Sequence, residues 1–182
     1  MHPAAYEWVQ RHADAGPVAV LDIGGRNING SVRPLFPAAD PYTSLDLRPG
    51  PGVDVVADAA TWTPDRLYDV VVCCEVFEHT NLWPDLCRAA YGALRPGGRL
   101  ILTMAGPGRA PHSAVDGEHR LLDGEHYANI TPDELAAVLA AAGFVDVVVD
   151  QAGEDLRAAA GKPRYAAGGI VHAGASYVVA GP

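Results

Sequence analysis

Lysine is almost absent from this chain of 182 residues: Lys162 stands alone, and 13 Lys and Arg face 22 Asp and Glu for a net charge of −9. No broad basic face exists to neutralise phosphate backbones or anionic lipid, so nucleic acid and membrane surface are poor expectations. Aromatic residues make up only 7% of the chain, too few for a base-stacking track. Three cysteines, Cys73, Cys74 and Cys87, give neither a disulfide framework nor Cys-x-x-Cys metal spacing. Apolar runs such as Val70 to Cys74 fall far short of the ~18 residues that a membrane span needs, and no charged-then-apolar leader precedes Tyr6. These absences lead us to expect a soluble cytoplasmic protein.

What is present is enough apolar material for one core. Hydrophobic residues make up 49% of the chain, and its length suits a single domain spanning 1–182 rather than two. A short amphipathic helix is expected at 3–14, with Ala5, Val9 and Ala13 along one side, ended by Gly16-Pro17. Strand-like runs follow at Val18 to Ile23, Tyr42 to Leu47, Val53 to Ala57, Tyr68 to Cys74, Arg99 to Met104 and Val145 to Asp150. A helix over Pro84 to Leu94 puts Leu86, Ala90, Ala93 and Leu94 on one face, and Pro96-Gly97-Gly98 turns the chain into the next strand. Thr131-Pro132-Asp133-Glu134 combines an N-cap, a first-turn proline and a capping-box glutamate, with Gly143 where that helix should end. Residues 152–173 read as an irregular connection before a last strand at Ser176 to Ala180. Alternating strands and helices predict a mainly parallel sheet with helices on both faces.

Ligands of such sheets sit beyond the carboxyl ends of the strands, so residues just past each strand carry the most information. Four of these positions are acidic: Asp22 with the turn Gly24-Gly25, Asp46, Asp58, and Glu75. Asp46 lies 24 positions past Asp22 (46 − 22), close to the ~20-residue offset at which an acid reaches ribose hydroxyls. A nucleoside-bearing cofactor is implied. A pyrophosphate would prefer a basic group, whereas an acidic pocket suits a cation.

The ordered set of motifs resembles the class I S-adenosylmethionine-dependent methyltransferases. The resemblance rests on Asp22 with Gly24, Asp46, Asp58 in Val56-Ala57-Asp58-Ala59, the run from Asp69 to His79 ending Glu75-Val76-Phe77-Glu78-His79, and Leu94-Arg95-Pro96-Gly97-Gly98. It covers roughly residues 18–149. One departure stands out, since Arg26 and Ile28 occupy positions where glycine is common, and the form Gly-x-x-x-Ile-Asn-Gly-Ser resembles a sub-group with a reshaped first loop.

The resemblance implies a Rossmann-like α/β fold with a seven-stranded, mainly parallel sheet whose last strand is antiparallel, and S-adenosylmethionine as cofactor. Carried over by position, Asp22 and Gly24 would hold the methionine end, Asp46 would accept from the ribose hydroxyls, and Asp58 with the Ala59 backbone would meet the adenine edge; Gly25, Asn29 and Leu47 are counted with them as cofactor-binding residues. Glu75 would lie at the junction of cofactor and acceptor.

Methyl transfer is an in-line displacement in which the protein aligns the acceptor and, for a hydroxyl or amine, removes its proton. Candidate bases are Glu75 and the histidines of 105–130, His112, His119 and His126, in a segment too long for a passive connection and read as an acceptor-binding loop or lid. The doubled Gly-Glu-His at 117–119 and 124–126 lacks diagnostic metal spacing, and no metal ligands are assigned. Arg109, Arg120, Arg157 and Arg164 are available to bind one anionic small acceptor. The expected partner is a small-molecule acceptor. The competing readings are a cofactor-binding protein without transferase activity and a methyltransferase acting on a macromolecule.

Overall fold

The computed structural model describes residues 3–164 and 178–180. Helix α1 (Pro3–His12) is followed by β1 (Val20–Ile23), β2 (Tyr42–Asp46), β3 (Val55–Val56) and β4 (Tyr68–Cys74). Then come α2 (Trp83–Ala93), β5 (Leu94–Ala105), α3 (Pro132–Ala141), β6 (Val145–Ala152), β7 (Asp155–Gly161) and β8 (Val178–Ala180). The strands form one sheet in the order β3-β2-β1-β4-β5-β7-β6-β8. The expected seven-stranded sheet is therefore present, and the three residues of β8 add a short edge strand parallel to β6.

Burial on both sides explains why β1 and β4 read as nearly unbroken apolar runs. Leu21, Ile23, Val71, Cys73, Leu100 and Leu102 face the core built with α2 and α3. Their neighbours Val20, Val70, Val72 and Ile101 face Trp8 and Val9 of α1 together with Val32 and Phe36. Helices thus cover both faces, and the two-residue period of the strands assigns each side chain to a layer.

Two expectations need correction. Residues 155–161, read as part of an irregular connection at 152–173, form β7, antiparallel to both β5 and β6. Its Ala158-Ala159-Ala160 run has little strand propensity and is placed by burial on both faces: Ala158 and Ala160 lie in the core with α2 and α3, Ala159 packs with the α1 layer, and the Trp8 indole N–H donates to the Ala158 carbonyl at 3.3 Å. The antiparallel strand is hence β7, and β8 runs parallel to its only partner among the described residues. Residues 165–173 of that expected connection lie outside the described residues, as do Ser176 and Tyr177. The second correction concerns Pro96-Gly97-Gly98, which sits inside β5: pairing jumps from Tyr68↔Leu94 to Val70↔Arg99, so the motif is a bulge within the strand. The capping box on α3 is as expected, with the Thr131 side chain accepting from the Glu134 backbone and Glu134 reaching back to Thr131.

Candidate functional site

The carboxyl ends of β1, β2, β3 and β4 open into one cavity of about 870 Å³. Asp22, Gly24, Gly25, Asn29, Asp46, Leu47, Asp58, Ala59, Glu75, His112, His119 and His126 all line it. Every site residue expected from the sequence is thus brought to a single wall, and the volume lies in the range of small-molecule and cofactor sites.

The floor is the turn after β1. Gly24 has φ +76, and a Cβ there would overlap the Val76 side chain from the turn after β4. At Gly25 an added Cβ would overlap the Ser44 hydroxyl and lie 2.6 Å from a carboxylate oxygen of Asp22. Both glycines are required by close approach, and they leave the backbone as the surface that a ligand meets. Beneath them Asp22 is buried and accepts a hydrogen bond of 2.7 Å from the Tyr42 hydroxyl. Desolvation by burial raises its pKa to about 6 against the opposing effect of that bond.

One end of the cavity carries Asp46 and Asp58. Asp46 closes its own turn, with Oδ1 accepting from the Arg48 N–H at 2.9 Å and Oδ2 from the Arg26 N–H at 3.4 Å. Asp58 likewise accepts from the Ala60 N–H at 2.9 Å. Leu47, between them in sequence, is 69% exposed, an apolar side chain at the rim of a polar end. This combination, a carboxylate able to accept from vicinal hydroxyls beside an apolar side chain, suits a nucleoside.

The other end is built by the turn after β4 and by the segment 106–131. Glu75 sits at φ +57, its Oε1 accepting from the Thr103 hydroxyl at 3.0 Å and its Oε2 paired with Arg109 at 2.9 Å. Arg109 also pairs with Asp155 at 2.7 Å. With both oxygens engaged, Glu75 anchors the entry to the lid. Arg109 has its charge offset, and so is not the free anion site expected of it. Arg157, also considered for that role, pairs with Asp150 and stacks over Trp8.

Three residues at this end were not given roles from sequence: Glu78, His79 and Tyr127. Glu78 is fully buried, one oxygen accepting from the Ala105 N–H at 3.1 Å, and burial with the nearby Glu75 charge pushes its pKa up to about 8. His79 is packed edge-on to His112, with ring centroids 4.9 Å apart, and both rings pack against Tyr127 at 5.5 and 5.2 Å. Burial and neighbouring His112 push the His79 pKa down to about 4, so the ring is neutral at ordinary pH. The signal for this cluster was the Glu-x-x-Glu-His spacing, whose second glutamate and histidine fall in the tight 3-10 turn Phe77–His79.

The lid lies over the first loop. The Arg26 guanidinium donates to the Ala114 and Val115 carbonyls, each at 3.1 Å, and a Cβ on Gly117 would overlap the Asn29 amide. Within the lid Glu125 accepts from the Ser113 hydroxyl and from the Ala114 and Leu122 N–H groups. Ala128 and Ile130 then stitch the returning chain to the carbonyls of Glu78 and Ala105. Arg26, which departs from the glycine pattern, is therefore the side chain that ties floor to lid.

A Rossmann-like sheet with an acidic cavity at its carboxyl edge puts the candidate site where folds of this class bind nucleoside cofactors. The family model described as "Methyltransferase domain" matches residues 4–149. A ubiquinone biosynthesis O-methyltransferase from Xanthomonas euvesicatoria pv. vesicatoria is 31% identical over 170 residues, covering 79% of this chain and 70% of that protein. Among solved structures, a complex of DhpI with S-adenosylhomocysteine superposes with a TM-score of 0.67 at 23% identity, covering 89% of this chain and 84% of that one. The Burkholderia thailandensis 1,6-didemethyltoxoflavin-N1-methyltransferase, bound to 1,6-didemethyltoxoflavin and S-adenosylhomocysteine, gives 0.62 at 20% identity, covering 89% and 77%. The chain belongs to the class I S-adenosylmethionine-dependent methyltransferases.

Proposed function

We propose that this methyltransferase acts on a small molecule and that the acceptor atom is a hydroxyl oxygen. The observation that carries the reading is one cavity that joins an acidic part, with Asp46 and Asp58, to a part lined by Glu75, His79 and His112, beside a 106–131 segment tied to the first loop by Arg26. The relative named as an O-methyltransferase supports oxygen, and a lid tied down by Arg26 favours an acceptor that fits beneath it. The Gly-x-x-x-Ile-Asn-Gly-Ser loop is read as the mark of a sub-group in which the first loop and the lid are joined. Buried or partly buried free cysteines support work in a reducing cytoplasm.

The residues present fit the cofactor, since Gly24 and Gly25 pack too closely on Val76 and Ser44 to carry side chains and so present backbone to the cavity, and the carboxylates suit ribose hydroxyls and a sulfonium charge. When bound, S-adenosylmethionine supplies a methyl group on a positively charged sulfur that leaves as a neutral thioether. Asp46 would accept from the ribose hydroxyls, Leu47 would cover the base, and Asp58 with the Ala59 backbone would meet the adenine edge. The backbone of Gly24 and Gly25, with Asp22 beneath and Asn29 beside it, would hold the methionine end.

At the acceptor end, neutral His79 and His112 offer ring nitrogens that accept a hydrogen bond from a hydroxyl and aim its oxygen along the transfer axis. Burial lowers the basicity of both, so they orient well and abstract protons weakly; His119 and His126, on the same wall, remain the groups for proton removal. The test is transfer of labelled methyl to a panel of hydroxylated aromatic and aliphatic small molecules, with bulk RNA and protein as parallel acceptors. Label entering at least one small hydroxyl compound is expected. Label entering only the macromolecules, or none entering anything while S-adenosylmethionine binds, overturns the proposal.

A further inference from the structure

In the turn after β4, Glu78 Oε2 and His79 Nδ1 are buried polar atoms with no hydrogen-bond partner. An unpartnered buried carboxylate oxygen or imidazole nitrogen is costly, and each such group calls for an explanation. Here the two are neighbours, and His112 approaches them from the lid. One ligand atom from each of Glu78, His79 and His112 lies within 4.8 Å of the others. The positive charge of Arg109, which reaches all three groups, is offset by its ion pairs with Glu75 and Asp155, and Glu125 adds a negative charge acting on His79.

We propose that Glu78, His79 and His112 form a binding site for one divalent transition-metal ion of the zinc type. One carboxylate and two imidazoles make a borderline donor set that suits zinc and its first-row neighbours, whereas magnesium prefers carboxylates and water. Tetrahedral bonds of about 2.1 Å set ligands roughly 3.4 Å apart, so the set closes by a movement of the order of 1 Å. The half-buried His112 ring, on the lid and held by one long bond of 3.4 Å to the Ala110 carbonyl, is the part that would make it. Three protein ligands would leave a fourth coordination position for a substrate atom, and two of them, His79 and His112, line the cavity, as a catalytic rather than a structural site requires.

The role of the ion rests on the proposed function. An acceptor hydroxyl at the open position has its pKa lowered, gives its proton to water or a lid histidine, and presents an oxygen already fixed in direction. With the ion bound, His79 and His112 orient the acceptor oxygen through the metal in place of a direct hydrogen bond. The ion also makes lid closure and acceptor activation one event, because His112 belongs to the lid and Glu78-His79 to the turn after β4.

The experiment titrates zinc into the chelator-treated full chain against a chromophoric chelator, with cobalt absorption as a second readout and S-adenosylhomocysteine binding measured in parallel. Uptake of about one equivalent of zinc is expected, with cobalt bands typical of low coordination number. Glu78→Gln and His112→Ala should each weaken zinc by at least about tenfold and leave S-adenosylhomocysteine affinity unchanged. His12→Ala, on α1, should change neither. No zinc uptake by a wild type that still binds S-adenosylhomocysteine overturns the metal site alone, as does full zinc affinity in His112→Ala. A wild type that fails to bind S-adenosylhomocysteine overturns the cofactor reading instead.

Discussion

Replacing Asp22 by Asn should make the protein more stable at alkaline pH while weakening its hold on the cofactor. Asp22 is 4% exposed, and burial raises its pKa from 3.8 to about 6. Between those values the folded state holds a proton that the unfolded chain releases, so stability falls as pH rises from about 4 through 6. Roughly two units at about 1.4 kcal/mol each give a cost of ~3 kcal/mol, fully expressed by pH 8. Asn removes that cost and keeps an oxygen for the Tyr42 hydroxyl, whose preference for the charged acceptor is already contained in the raised pKa. A net gain of ~2–3 kcal/mol at pH 8 should shrink to nearly nothing by pH 4. Urea unfolding of both proteins across that range reads it directly, as a difference that moves the midpoint and leaves the slope unchanged. A gap that does not change with pH, or an Asn variant that is less stable at pH 8, would refute the claim that burial of a charged Asp22 is a stability cost retained at the ligand turn.

Other perturbations probe separate parts. Gly24→Ala places a side chain at φ +76 against Val76; a loss of roughly 1–3 kcal/mol and of most cofactor affinity is expected, by melting and calorimetry. Arg26→Ala removes both bonds to the lid, so limited proteolysis should cut within 107–120 faster and the acceptor KM should rise while the melting temperature changes little. Thr131→Ala breaks the capping box on α3 and should lower stability by about 1 kcal/mol without touching turnover.

The sheet was legible where burial is two-sided and the residues are branched. Tyr68 to Cys74 matches β4 residue for residue, and α3 announces itself through Thr131, Pro132 and Glu134. β7 was not legible, because its alanines are placed by packing on both faces of the sheet, Ala159 against the Trp8 layer and Ala158 and Ala160 in the opposite core, a tertiary constraint that no local pattern carries. The cofactor half of the cavity was readable because each acid lies at a fixed place after its strand. The acceptor half was readable only in outline. The sequence marks residues 105–130 as a lid segment, but what meets His79 depends on how that segment folds back, and Arg26 reaches the Ala114 carbonyl across 88 positions of chain.

The central claim is that the carboxyl edge of the sheet is a nucleoside site with Asp46 on the ribose. Calorimetric titration of S-adenosylhomocysteine into the wild type and into folded Asp46→Ala tests it most directly. The account predicts one site on the wild type and a loss of ~1–3 kcal/mol in the variant, from hydrogen bonds to a charged acceptor. Absence of binding to the wild type, or equal affinity in the two proteins, would contradict it.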